Sequence, residues 1–262
     1  MNRLAPFAAA VPLAIALATT SCGPSSADER ATNDFPAHAC GPTIAKGCYV
    51  PFADFENLAN AGSPLPPFPN FGWTVDKDPT PVQVPISSAF ETINSPRDNG
   101  AVSTHDYRVI CPSSYHGWGS AWFVDFAQAQ SEGYDLSGYT HFSLWAKSNK
   151  GLATVKVGFA DMYTLDKGSL IPNSRTGEYP SDILCDPTDT RVGALGCYDD
   201  YSMKIYLTQN WRRYDLALRT LTTGGWGYPH EFDLRHVYRL KFSMLPDVTY
   251  DVEMDDLSFW IK

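Results

Sequence analysis

Residues able to do chemistry are plentiful in this chain, but few stand at the spacing a mechanism requires. Asp and Glu together number 29, enough to supply the paired carboxylates of glycoside hydrolysis. Most fall in loop-like runs such as Asp186–Asp189 and Asp199-Asp200, where turn formation accounts for Asp. The six histidines (His38, His105, His116, His141, His230, His236) are scattered. His230-Glu231 comes nearest to a metalloprotease motif, and no second His follows at the required spacing. Gly-x-Ser-x-Gly, phosphate-loop and GxGxxG signatures are absent. The expectation is a protein with no catalysis of its own. A hydrolase or lyase using two carboxylates, or a carboxylate with His or Tyr, is the alternative.

The cysteines are Cys22, Cys40, Cys48, Cys111, Cys185 and Cys197. In an oxidising compartment an even set reads as bridges; if Cys22 carries lipid, five remain and one stays free. Cys185 and Cys197 flank an Asp/Thr/Gly-rich loop and form the first expected pair. Cys40 and Cys48 flank Gly-Pro-Thr-Ile-Ala-Lys-Gly and form the second. That leaves Cys111, at the end of an apolar strand, as a buried thiol. No CxxC spacing or neighbouring His pair supports zinc.

Lys and Arg number 20, so the net charge over 262 residues is −9, and no basic run occurs. That argues against a nucleic-acid surface, which needs clustered cations. Charged residues are only 19% while Trp, Tyr and Phe number 7, 14 and 14, which excludes an acidic disordered tail and a coiled coil. Met1-Asn2-Arg3 followed by the apolar run Leu4–Leu17, broken by Pro6 and Pro12, fits an export signal over residues 1–21 and is too short to span a bilayer. Ala18-Thr-Thr-Ser-Cys22-Gly23 resembles a bacterial lipoprotein cleavage box, predicting lipidation at Cys22 and a cell-envelope location. A competing cut after Ala18 predicts soluble secretion. Residues 22–48 read as a flexible tether with a small disulfide loop.

From Tyr49 onward the elements available to position any site are strands. Short β-branched and aromatic runs alternate with Gly/Pro/Asn/Asp punctuation. The spacing predicts strands over Tyr107–Cys111, Ser120–Phe126, Thr140–Lys147, Ala153–Phe159, Met203–Leu207, Arg212–Leu216, Tyr238–Met244 and Tyr250–Ile261. Phe142, Leu144 and Ala146 share one face of theirs. Eight or more strands make residues 49–262 one all-β domain, a two-sheet antiparallel jelly-roll sandwich. Long excursions at 161–202 and 220–233 are expected to be functional or tied down.

Gly117-Trp-Gly-Ser-Ala-Trp-Phe-Val-Asp125, Tyr134-Asp-Leu-Ser-Gly-Tyr-Thr-His-Phe-Ser-Leu-Trp-Ala-Lys147, Cys197-Tyr-Asp-Asp200, Gln209-Asn-Trp-Arg-Arg-Tyr214, Gly225-Trp-Gly227, Val252-Glu-Met-Asp-Asp-Leu-Ser-Phe259 and the opening Phe52-Ala-Asp-Phe-Glu56 occur in order. Together they resemble the galactose-binding-like jelly-roll domains around carbohydrate-binding module family 11, across residues 49–262. That resemblance implies a structural calcium ion, with Glu56 and Asp255 as ligands and Asp54 or Asp256 and backbone carbonyls completing the shell. It also implies polysaccharide binding, β-glucan in particular, on a concave sheet face. Such modules usually adjoin a catalytic domain, for which this chain has no room.

A pyranose needs a flat aromatic platform with hydrogen-bonding groups beside it. The rim candidates are Tyr115, Trp118, Tyr163, Trp226 and Tyr228, with Lys156 and Asp161 as polar partners. Lys156 lies out of phase with Val155, Val157 and Phe159 and should leave the core on the other face. Trp145, Trp211 and Trp260 read as structural. The expected function is adhesion to a polysaccharide by a surface-displayed lipoprotein. The rival is a structural lipoprotein that grips an envelope protein with the same fold.

Overall fold

The computed structural model describes residues 39–40, 46–53, 55, 73–96, 102–126, 133–165, 185 and 196–262. Eleven strands account for nearly all regular structure there: β1 (Tyr49–Ala53), β2 (Thr74–Lys77), β3 (Ser87–Pro96), β4 (Val102–Cys111), β5 (Ser120–Asp125), β6 (His141–Ser148), β7 (Ala153–Asp161), β8 (Tyr201–Leu207), β9 (Arg212–Ala217), β10 (Val237–Met244) and β11 (Tyr250–Trp260). They form two antiparallel sheets. The first runs β3-β4-β11-β6-β9, with β1 also paired to β11; the second runs β2-β5-β10-β7-β8.

Alternation decides which side of each strand enters the core. Phe142, Leu144 and Ala146 of β6 are buried, as are Val155, Val157 and Phe159 of β7 and Leu240, Phe242 and Met244 of β10. Facing residues of the two sheets interdigitate through aromatic rings. Phe52, Phe126, Phe142 and Phe159 each lie within 6.4 Å of Phe259, ring centre to ring centre. Trp122 stacks on Phe242 at 5.5 Å. A buried Phe is worth about 1.5–3 kcal/mol in transfer free energy, so this ring cluster is the main cohesive element of the sandwich.

The eight expected strands are all present, each displaced by a few residues at most except β4, which begins five residues earlier than Tyr107. Of the additional strands, β2 and β3 carry few large apolar residues, while β1 buries Val50 and Phe52 on either side of Pro51. Two bridges form, Cys40–Cys48 and Cys185–Cys197, and Cys111 is a buried thiol. β11 carries a bulge between Asp255 and Ser258, with Asp256 at φ 47°. Among the described residues no helix is long and apolar enough to cross a membrane. Residues 1–38, including Cys22, and the expected metal ligand Glu56 lie outside the described residues.

Candidate ligand-binding face

The outward side of the second sheet is laid out in rows by strand register. One row places Lys204, Lys156, Ser243, Ala121 and Asp76 side by side across β8, β7, β10, β5 and β2. The next places Ser202, Gly158, Lys241, Phe123 and Thr74. Ser243, Ala121 and Gly158 are small, so Lys156 has low neighbours in its own row and the next. At Gly158 an added Cβ would come within 3.2 Å of Ser202 Cβ. Arg239 forms a bidentate pair with Asp125 (2.6 and 3.2 Å) and lies 3.9 Å over the Phe123 ring. Lys241 Nζ is 2.6 Å from Asp200 and sits 5.9 Å from the Tyr198 ring centre. Lys156 is half-buried and Lys204 exposed; Tyr206, on the same side of β8 two residues on, is exposed.

At the end of the sheet where β7 finishes and β8 begins, two buried carboxylates organise the loops. Asp199 Oδ1 accepts the Gly224 N–H at 2.6 Å, and its Oδ2 accepts those of Trp226 (2.9 Å) and Gly227 (2.8 Å). The indole of Trp226 lies against Gly196, where an added Cβ would come within 2.5 Å of the ring. Trp226 is thus held from both its backbone and its ring while 54% of its surface stays in water. Asp161, fully buried, accepts the Tyr163 N–H (3.0 Å), the Asp233 N–H (3.1 Å) and a bond from His230 Nε2 (2.9 Å). His230 Nδ1 lies 2.7 Å from the Tyr228 carbonyl, so both ring nitrogens face acceptors. Burial alone would lower its pKa. The bonds to Asp161 and Tyr228, with the charges of Asp161 and Asp233, outweigh burial and raise it. Tyr163, Tyr228 and His230 line an open depression of about 650 Å³ floored by Phe232 and Asp233.

The opposite end of the sheet is built in the same way around Asp78. Its buried carboxylate accepts the N–H groups of Gly117 (2.7 Å), Gly119 (2.9 Å) and Thr80 (2.9 Å). Burial would raise its pKa, but the Thr80 hydroxyl and then these N–H bonds prevail and hold it down at about 2. Gly119 has φ 97°, and a Cβ there would fall 2.4 Å from the Met244 carbonyl, so glycine is required. Trp118 projects from this loop, 50% exposed.

The expected site residues therefore divide. Tyr163, Trp226 and Tyr228 share one rim, and Lys156 lies on the adjoining sheet face. Asp161 belongs to that rim but is fully buried, with both carboxylate oxygens bonded to the chain, so it positions the loops. Trp118 is at the far end. Tyr115 is a correction: it is 1% exposed, its hydroxyl oxygen accepts the Ile86 N–H at 3.2 Å and its carbonyl accepts the Asp247 N–H, so its ring is a core ring and offers no platform. Sequence reading missed Asp78, Asp199, Lys204, Tyr198 and Tyr206. Lys204 and Tyr206 were within reach, since alternation around Ile205 and Leu207 sends both outward. The partners of Asp199 lie 25–28 residues away and leave no local signal.

The calcium implied by the resemblance can be tested against the first sheet. Asp255 is fully buried on its outward side and accepts the Asp256 N–H at 2.7 Å. Near it stands Asp106, also fully buried, with neither carboxylate oxygen hydrogen-bonded. Burial, then the Glu253 carboxyl and the charges of Asp255 and Glu91, push the Asp106 pKa up. An orphaned carboxylate beside others fits a hard, oxygen-seeking cation. Among the described residues, however, no group of three His, Cys, Asp or Glu side chains is arranged to hold a metal.

No family model matches the chain, and no curated protein matches it. Solved structures do. A family 11 carbohydrate-binding module from Clostridium thermocellum, in complex with a β-1,3-1,4-mixed-linked tetrasaccharide, aligns with 80% of this chain and 94% of its own at 11% identity and TM-score 0.45. A family 30 module of a Clostridium thermocellum cellulosomal cellulase aligns with 72% and 91% at 16% identity and TM-score 0.42. An exo-β-agarase aligns with 81% of this chain but only 25% of its own, at 12% identity and TM-score 0.44. The likeness is one of chain course, so function has to be read from this protein's own side chains.

Proposed function

We propose that the protein binds a polysaccharide, without catalysis, on the outward face of its second sheet and the adjoining Tyr163–Trp226–Tyr228 rim. The observation that carries this reading is Trp226, half exposed yet fixed by three backbone bonds to Asp199. An immobilised, water-facing indole on a rim shared with Tyr163 and Tyr228 is what stacking on a sugar ring demands. The carboxylates at that rim, Asp161 and Asp199, spend their oxygens on the chain and on His230, which favours a scaffolding role over proton transfer. The two disulfides agree with export. Display through lipid on Cys22 would let many weak contacts add up to retention. A structural calcium ion at Asp255, with Glu56, belongs to the same proposal.

The test is retention of the purified protein on a panel of insoluble polysaccharides, with β-glucan, the class the sequence resemblance implies, included. Loss of retention in Trp226→Ala, with Trp118→Ala unchanged, is the expected result. Retention by neither the parent nor any variant, with the fold intact, overturns the reading. The rival, a protein-binding lipoprotein, is favoured by one observation: Trp118, Leu152, Leu245 and Val248 are all exposed at the far end of the sandwich.

A further inference from the structure

We propose that the polymer held on this face is anionic, a polysaccharide carrying carboxylate or sulfate groups, and that Lys156 and Lys204 are the residues that select it. The inference rests on the carbohydrate reading above and adds the ligand's charge.

Lys156 and Lys204 are direct cross-strand partners in the antiparallel β7–β8 pair, and alternation sends both side chains outward. Side chains so placed have Cβ atoms about 5 Å apart, and like charges in that position destabilise the sheet. Ordinarily a neighbouring carboxylate relieves such a pair. Here other cations of the two sheets are relieved: Lys241 by Asp200, Arg239 by Asp125, Lys147 by Glu253, Arg108 by Glu91 and Asp251, and Arg213 by Asp215. Lys156 and Lys204 have no ion pair or hydrogen bond among the described residues. In a chain with 29 acidic and 20 basic residues, two lysines on facing positions of neighbouring strands, neither with an ion pair among the described residues, are left for a charge from outside.

The surroundings suit a polymer better than a small ion. Ser243 lies beside Lys156 in the same row, so a hydroxyl accompanies the cations, while the buried Ser202 one row away gives its own to the Thr222 carbonyl. Tyr206, 57% exposed, stands beyond Lys204 on the same face, giving a ring on which a sugar can stack next to the charge. A neutral sugar could accept hydrogen bonds from the lysines but would leave their repulsion in place. An acidic sugar removes it.

The experiment compares polymers that differ in charge alone: polygalacturonate against its methyl ester, and dextran sulfate against dextran, measured by affinity electrophoresis in low salt and in 0.5 M NaCl without added calcium. The first pair reads carboxylate and the second sulfate. We expect at least one charged member to bind ten-fold or more tightly than its neutral partner, with the advantage shrinking in high salt as screening shortens. The Lys156→Gln/Lys204→Gln variant should lose that advantage without a fall in melting temperature, whereas Lys156→Arg/Lys204→Arg should keep it. Equal binding of charged and neutral members, or a preference the glutamine variant retains, overturns this inference while the carbohydrate reading stands. Retention of none of these polymers and none of the neutral panel, by folded protein, removes both.

Discussion

Trp226 keeps 54% of its surface in water, an exposure from which folding gains little, and a buried carboxylate nonetheless spends three bonds on its loop. The two residues should therefore behave oppositely when removed. Trp226→Ala should change unfolding free energy by less than about 1 kcal/mol, as for other half-exposed positions, yet weaken glycan binding ten-fold or more. Asp199→Ala strips a charged acceptor from three N–H groups and should cost about 3 kcal/mol, which chemical denaturation would register. Equal stability losses in the two would remove the distinction between platform and support. His230 adds a pH dependence. Its folded pKa is raised above the unfolded value of 6.5, so its contribution to stability is complete below about pH 6.5 and fades as pH climbs through the folded value. The melting-temperature gap between parent and His230→Gln should accordingly be widest near pH 5.5 and narrow by pH 8.5. A gap independent of pH would mean the ring is held as a neutral packing group.

At the scale of elements, legibility followed burial. β6, β7, β10 and β11 read plainly because each has neighbours on both sides and puts an apolar side chain at nearly every second position, as in Phe142-x-Leu144-x-Ala146. β2 and β3 are edge strands: Val75 is the one apolar residue of Thr-Val-Asp-Lys, and Phe90 is the large apolar residue of Ser-Ser-Ala-Phe-Glu-Thr. β1 contains Pro51, which a marginal strand tolerates, and pairs with the end of β11, Tyr49 also bridging Ala39. Polar edges are what protect a sandwich from pairing with another copy, so the pattern that hides these strands from a reader also serves the molecule. The rim was legible as residue types and illegible as geometry. Nothing local distinguishes Tyr115, anchored by Ile86 and Asp247, from Tyr163, which lines a depression beside His230. The Cys185–Cys197 bridge belongs to this scale as well, because Cys197 adjoins Gly196, the seat of the Trp226 ring. Closing a loop of 12 residues contributes about 3 kcal/mol in the chain-entropy account. Cys185→Ser/Cys197→Ser should lower the melting temperature and also weaken glycan binding. A fall in stability with affinity untouched would show that the bridge ties the excursion down without shaping the rim.

Over the whole molecule the net charge of −9 is unevenly spread between the sheets. The outward side of the first sheet gathers Glu91, Asp106, Asp215, Asp251, Glu253 and Asp255 against Arg108, Lys147 and Arg213, while that of the second gathers Lys156, Lys204, Lys241 and Arg239 against Asp76, Asp125 and Asp200. An anionic polymer on one side and a divalent cation on the other would both relieve repulsion the fold carries by itself. Burial and the neighbouring Glu253 and Asp255 carboxylates push the Asp106 pKa up, so a cation here would relieve a repulsion that a proton on Asp106 otherwise removes. If calcium occupies this region, it binds the folded chain alone and raises stability by mass action. At 100 times its dissociation constant it adds about 2.7 kcal/mol, equivalent to about 5–10 °C in a domain of this size. Protein stripped with chelator should therefore melt lower by that amount, recover with calcium but not with sodium at matched ionic strength, and lose the response in Asp255→Asn. Calorimetric titration of the stripped parent covers the case in which that variant fails to fold. Identical melting with calcium and with chelator, and no heat of binding, would leave the acidic side to be balanced by protons on Asp106, and Asp106→Asn would then raise the melting temperature.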